Sequence, residues 1–182
     1  MRFTSLFMQN PLLKIPLRNG IIAGLLGFFI LFALYAIGKH PFLFMLFFDF
    51  RIVMFAVFMT FTLKEIRDNF QDGIIFFWQG MIANLIFTIL FAVITFVLIW
   101  LFCFLFPPFL SNYITTAVEQ MKTLPAEAIE RIGKDEYQRN IEYLSATNGY
   151  ILAKHYFWQS FVISFFISII ISVILRRQPK TD

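Results

Sequence analysis

Charge is what this chain has least of. Of its 182 residues only 14% are Asp, Glu, Lys or Arg, against about a quarter in an ordinary soluble domain. The single cysteine, Cys103, excludes an intrachain disulfide and leaves the redox compartment unstated. It sits inside an apolar run, where it reads as a small buried hydrophobe. The two histidines, His40 and His155, have no clustered thiols or carboxylates, so no metal ligand set is expected. Neither GxSxG nor HExxH occurs, and no serine has a histidine and an acid at motif spacing. Catalytic residues and cofactors are therefore both expected to be absent. The net charge of +4 is modest, and no patch interleaves basic with aromatic residues, so no nucleic-acid partner is expected.

What fills the sequence instead is hydrocarbon. Apolar residues make up 59% of the chain, and 27 of the residues are phenylalanine. Water would not hold such a surface, whereas acyl chains solvate it. The bilayer is the first partner that the composition implies.

Four apolar segments give an expected all-α membrane protein of four spans, arranged as a four-helix bundle in a single domain over residues 1–182. The first span, Gly20 to Ile37, follows a polar leader with Arg2, Lys14 and Arg18. Ala36-Ile37-Gly38 resembles a small-x-small cleavage site. The apolar stretch is longer than a signal core, however, and reads as an uncleaved helix. The second span is expected from Asp49 to Lys64. Asp49 would cap it, with Arg51 snorkelling outward and Lys64 inward as an interfacial charge arrangement. The alternative start near Phe44 buries both charges, at a cost of several kcal/mol unless they pair. On the preferred placement, Phe42 to Phe48 lies in the interface.

The third span runs from Phe76 to Leu105. Trp78 and Trp100 stand about 33 Å apart along a helix, the separation of two interfacial aromatic belts. Pro107-Pro108 ends it. The fourth span, Ile151 to Leu175, lies between Tyr150, Tyr156 and Trp158 at one interface and Arg176 and Arg177 at the other. With the N-terminus inside, the cytoplasmic flanks carry Arg2, Lys14, Arg18, Lys64, Arg67, Arg176, Arg177 and Lys180. The outside holds Lys39, Arg51, Lys122, Arg131, Lys134, Arg139 and Lys154, a near balance in number, but in the long loop the basic residues are outnumbered by acids, so the short flanks place both termini in the cytoplasm.

The extracytoplasmic loop, residues 108–149, reads as a helical hairpin. Ser111 would cap one helix through Thr123, and Pro125 would sit in the first turn of a second. Ile129, Ile132, Ile141 and Leu144 form one stripe. Glu127–Arg131, Glu130–Lys134 and Asp135–Arg139 are helix-supporting pairs, and Asn148-Gly149 reads as a stop. The hairpin is either a folded connector or a docking surface for a protein partner.

Inside the membrane, Ser160, Ser164, Ser168 and Ser172 recur every four residues. Asn84, Thr88, Ala92 and Thr95 form a similar face on the third span. Gly20 and Gly24 form a GxxxG on the first. Helix packing is the main reading, because small residues admit close approach and hydroxyls bond across it. A polar conduit and a homodimer through Gly20 and Gly24 are the alternatives. No ionisable residue sits at the centre of the first, third or fourth span, which argues against ion coupling.

Four passages carry a family resemblance: Asn19-Gly20-Ile21-Ile22-Ala23-Gly24-Leu25; the turn from Lys64 through Gly73 with Phe76-Phe77-Trp78-Gln79-Gly80; the charged helical loop; and Ile169 to Arg177. The chain resembles a family of small bacterial four-span membrane proteins, domain of unknown function 4199. The resemblance implies a location in the cytoplasmic (inner) membrane and no particular activity. A non-enzymatic scaffold or accessory subunit is the leading expectation. A small transporter or a solute- or lipid-binding protein is the rival.

Overall fold

The computed structural model describes residues 10–43 and 49–177. Arg2, Lys180 and the part of the expected interfacial segment from Phe44 to Phe48 lie outside those residues. Among the described residues the chain is all-α, with one isolated β-bridge and no strand. The helices are α1 (Pro11–Ala36), α2 (Phe50–Phe70), α3 (Phe77–Leu105), α4 (Pro107–Lys122), α5 (Ala126–Ile132), α6 (Lys134–Ser145) and α7 (Gly149–Leu175), with a 3-10 turn at Pro41–Leu43.

Local chemistry sets each boundary. Asn10 caps α1 by accepting the Leu12 N–H at 3.0 Å, and Pro11 occupies the first turn, where its missing N–H costs nothing. The helix thus starts nine residues ahead of Gly20, and Pro16 is tolerated in its second turn. At the other end Gly38 adopts φ +83°. Its N–H bonds Tyr35 O while that of Lys39 bonds Leu34 O, a paired closure of the last turn. Asp49 caps α2 through the Arg51 N–H at 2.9 Å. The reversal from α2 to α3 uses Asp72 at φ +48° and Gly73 at φ +79°.

The loop is helical, but its details correct five expectations. Pro107 begins α4 directly after α3, because two prolines suit a first turn as well as they end a helix. Ser111 is therefore inside α4 and donates to Pro108 O at 3.2 Å. Pro125 caps α5 from outside the helix. Gly133, at φ +91°, splits the expected second helix into α5 and α6, which disrupts the Glu130–Lys134 register. Arg139 pairs with Glu136 at 2.5 Å, one residue nearer than the expected Asp135. Finally, Asn148 does not stop a helix. It starts α7, accepting the Ile151 N–H at 2.9 Å.

Three helices, α1, α3 and α7, are long and apolar enough to cross a membrane. The charges of α2 at Arg51, Lys64, Glu65, Arg67 and Asp68 interrupt any comparable stretch. α3 packs along both α1 and α7, and α2 packs on α7 and α1. The centre is aromatic. Phe55 meets Phe91 edge-on at 4.8 Å and Phe87 at 6.1 Å between ring centres. The outer faces are apolar as well: Phe29, Val53, Phe104 and Phe166 are all more than half exposed. A soluble monomer rarely carries so continuous an apolar sheath, so a lipid environment is its physical counterpart.

Candidate functional site: a hydroxyl seam and an arginine clamp

Helical spacing of four puts the serines of α7 on one slowly turning stripe, and the structure lays it against α3. Ser160, Ser164, Ser168 and Ser172 are all buried, as are Asn84, Thr88 and Thr95. Thr88 donates its only hydroxyl proton to Asn84 O at 2.8 Å. The short contact between Thr88 and Ser164 must therefore have Ser164 as donor. Asn84 Nδ2 donates to Ser172 Oγ at 3.3 Å. Gly80 makes room for that serine, since a Cβ there would stand 2.9 Å from Ser172 Oγ. Ser168 donates to Met81 Sδ at 3.4 Å.

Thr95 and Ser160 do not join across the seam. Thr95 bonds back to Phe91 O at 2.8 Å, and Ser160 serves the clamp described below. Asn84 Oδ1 is buried without a hydrogen-bond partner among the described residues. The seam is closed along its length except at one side. There a cleft of about 210 Å³ opens between α3 and α7, walled by Met81, Ile82, Leu85 and Phe165, with Thr88 and Ser164 behind.

Gly20 and Gly24 pack within the chain. A Cβ on Gly20 would lie 2.8 Å from Phe87 O, and one on Gly24 would lie 3.0 Å from Ile94 Cβ. Helix α3 occupies this face, so it is not free for a second copy. That corrects the homodimer alternative at Gly20 and Gly24.

Arg51 corrects a second expectation. It does not snorkel outward; it is 4% exposed and folds across to α7. Its Nε donates to both oxygens of Asp49 at 2.8 Å. Nη2 pairs with Asp49 and donates to Gln159 Oε1 at 3.1 Å. Nη1 donates to Tyr156 O at 3.2 Å and Ser160 Oγ at 3.0 Å. All five guanidinium donors are thus engaged. The Tyr156 ring supplies a face 4.1 Å below Cζ. A buried charge this fully bonded has no need to reach water. Sequence alone gave Asp49 and Arg51 but not their acceptors, which lie more than a hundred residues away.

Other polar contacts had no separate signal in the sequence. Asn19 Nδ2 donates to Thr62 Oγ1 at 2.9 Å, and Arg18 pairs with Glu65 at 2.5 Å. Arg67, expected on the cytoplasmic flank of the second span, is largely buried, bonding Asp68 at 2.6 Å and reaching Leu175 O at 3.5 Å. That hydrogen bond from Arg67 holds the Asp68 carboxyl below its usual range. His40 donates from Nε2 to Phe109 O at 3.1 Å, and burial lowers its pKa. No group of three metal-ligating side chains occurs among the described residues.

Residues 18–177 match the family described as protein of unknown function (DUF4199), and the chain belongs to that family. No curated protein and no solved structure matches it.

Proposed function

We propose that the chain is a four-span inner-membrane protein of bacterial type. It forms a four-helix bundle of α1, α2, α3 and α7 with both termini in the cytoplasm and α4–α6 outside. It acts as a non-enzymatic scaffold or accessory subunit. The observation that carries this reading is the closure of the seam: the hydroxyls that could line a conduit bond each other, their own backbones, Asn84, Met81 or Arg51. What is left for contact is the hairpin, with exposed apolar groups such as Ile132 and Tyr143 among charges.

The test is the mass of the complex extracted in a mild detergent. A second polypeptide in fixed ratio, released by Ile132→Lys with Tyr143→Lys while the bundle stays folded, supports the scaffold. A lone monomer or homodimer overturns it. The orientation has its own check: an impermeant thiol reagent should label a cysteine at Gln138 and spare one at Gln178. A second reading rests on the lateral cleft at Met81, Leu85 and Phe165, whose apolar walls suit a lipid chain. Leu85→Trp should then lower the amount of lipid that co-purifies.

A further inference from the structure

A cavity of about 690 Å³ lies between the C-terminal end of α1 and one face of α4. Its volume falls in the range of small-molecule sites. Asn112, Thr116 and Gln120 line it from α4, and Tyr35, Lys39 and His40 line it from the other side. The three α4 residues recur at intervals of four, so their Cα atoms climb in steps of about 6 Å and make a polar row about 12 Å long. Phe109 and Tyr113, on the neighbouring face, pack against the His40 ring at 4.7 and 5.4 Å.

The charge and hydrogen-bonding chemistry of the wall is specific. Among the described residues, Lys39 is the one charged side chain lining the cavity, and no acid lines it. Its position just past the end of α1 suits a cation, because helix carbonyls concentrate partial negative charge there. Asn112 donates to the Tyr35 hydroxyl oxygen at 3.0 Å, which leaves the Tyr35 O–H and the Asn112 carbonyl for a guest. His40 uses Nε2 as a donor to Phe109 O. Its Nδ1 is then a buried acceptor, with no partner among the described residues. Burial disfavours the imidazolium, so the ring adds no second positive charge.

We propose that this cavity binds a small hydroxyl-bearing carboxylate, with Lys39 meeting the carboxylate and Asn112, Thr116 and Gln120 meeting the hydroxyls. This goes beyond the scaffold reading and stands without it: a chain with no protein partner can still hold the solute.

The test uses the full-length chain in detergent with Cys103→Ala and Thr116→Cys. The new thiol is reacted with an anionic sulfonatoethyl or a cationic trimethylammonioethyl methanethiosulfonate, each rate normalised to a free thiol. The anionic reagent should be favoured by about threefold, the scale of one partly screened charge, and Lys39→Gln should abolish the preference. Gluconate should protect the thiol, and glucose at equal concentration should not. Preference for the cationic reagent, or a preference that survives Lys39→Gln, overturns the role of Lys39. Equal protection by glucose overturns the carboxylate, and protection by neither overturns the site.

Discussion

The two ends of α2 use one device at two depths. At each end an arginine pairs with an aspartate on the same stretch of chain, Asp49 for Arg51 and Asp68 for Arg67, and reaches a backbone carbonyl of α7. At the Arg51 end the pair is sealed, with side chains 4% and 12% exposed. At the Arg67 end the carboxylate is 45% exposed. The comparison teaches that α2, the least apolar of the four long helices, is held at both ends by charged staples, where α3 and α7 join through hydrocarbon contact and uncharged hydrogen bonds. It also teaches that the two staples should differ in strength and in the conditions that loosen them.

The largest effect is expected at the sealed end. Arg51→Met leaves Asp49 buried without its partner and should cost about 3–5 kcal/mol, read from denaturant unfolding in detergent. Adding Asp49→Asn should recover part of that loss; no recovery would mean that the charge pair is not what the arginine serves. Next comes a control away from both staples. Gly20→Leu drives a side chain into Phe87 O and should cost about 1–3 kcal/mol by overpacking. Arg67→Met should cost less than about 1 kcal/mol, the scale of a cation at a helix C-terminus, and the cost should shrink in salt. An Arg67→Met loss equal to that of Arg51→Met would erase the contrast between the ends.

The smallest effects separate the ends by pH. His40 sits near the Arg51 end through Phe42, which meets both the His40 and Tyr156 rings. Its folded pKa lies below its ordinary 6.5, so the neutral ring is the stabilising form. That contribution is complete above 6.5 and is lost as pH falls from there toward the folded pKa. Asp68 is also depressed, from 3.8, so its contribution is complete above 3.8 and fades only below it. Hydrogen exchange near pH 5 should therefore rise around Phe109 and stay unchanged around Leu175. His40→Phe should remove the rise. Loosening at both ends together, or at the Leu175 end first, would contradict the assignment.

The sequence carried those features that depend on near neighbours. Small and polar residues recurring every three or four positions marked the packing stripes of α3 and α7, and an acid two residues before Arg51 marked the α2 cap. Where two local readings compete, tertiary context chose. Asn-Gly can end a helix or begin one, and at Asn148 the close approach of Gly149 to Cys103 fits the start of α7. Proline can stop a helix or open one, and Pro107 does both. Gly133 was invisible because the charges on either side keep a helical rhythm through it. The partners of Arg51 and the row facing Lys39 depend on distant segments meeting, which no local pattern encodes.

The bridge between Ile75 and Arg177 has a mechanical consequence. Two backbone hydrogen bonds, at 2.9 and 3.2 Å, fasten the end of α7 to the segment that leads into α3. Sliding of one helix along the other is blocked at that end, and the remaining freedom is rotation about the fastening. With 27 residues, α7 is a lever about 40 Å long. Each degree of tilt at the bridge moves the far end by about 0.7 Å, by the same rise per residue. The fastened end acts as a pivot, and any motion of this helix pair is magnified where α7 meets the hairpin.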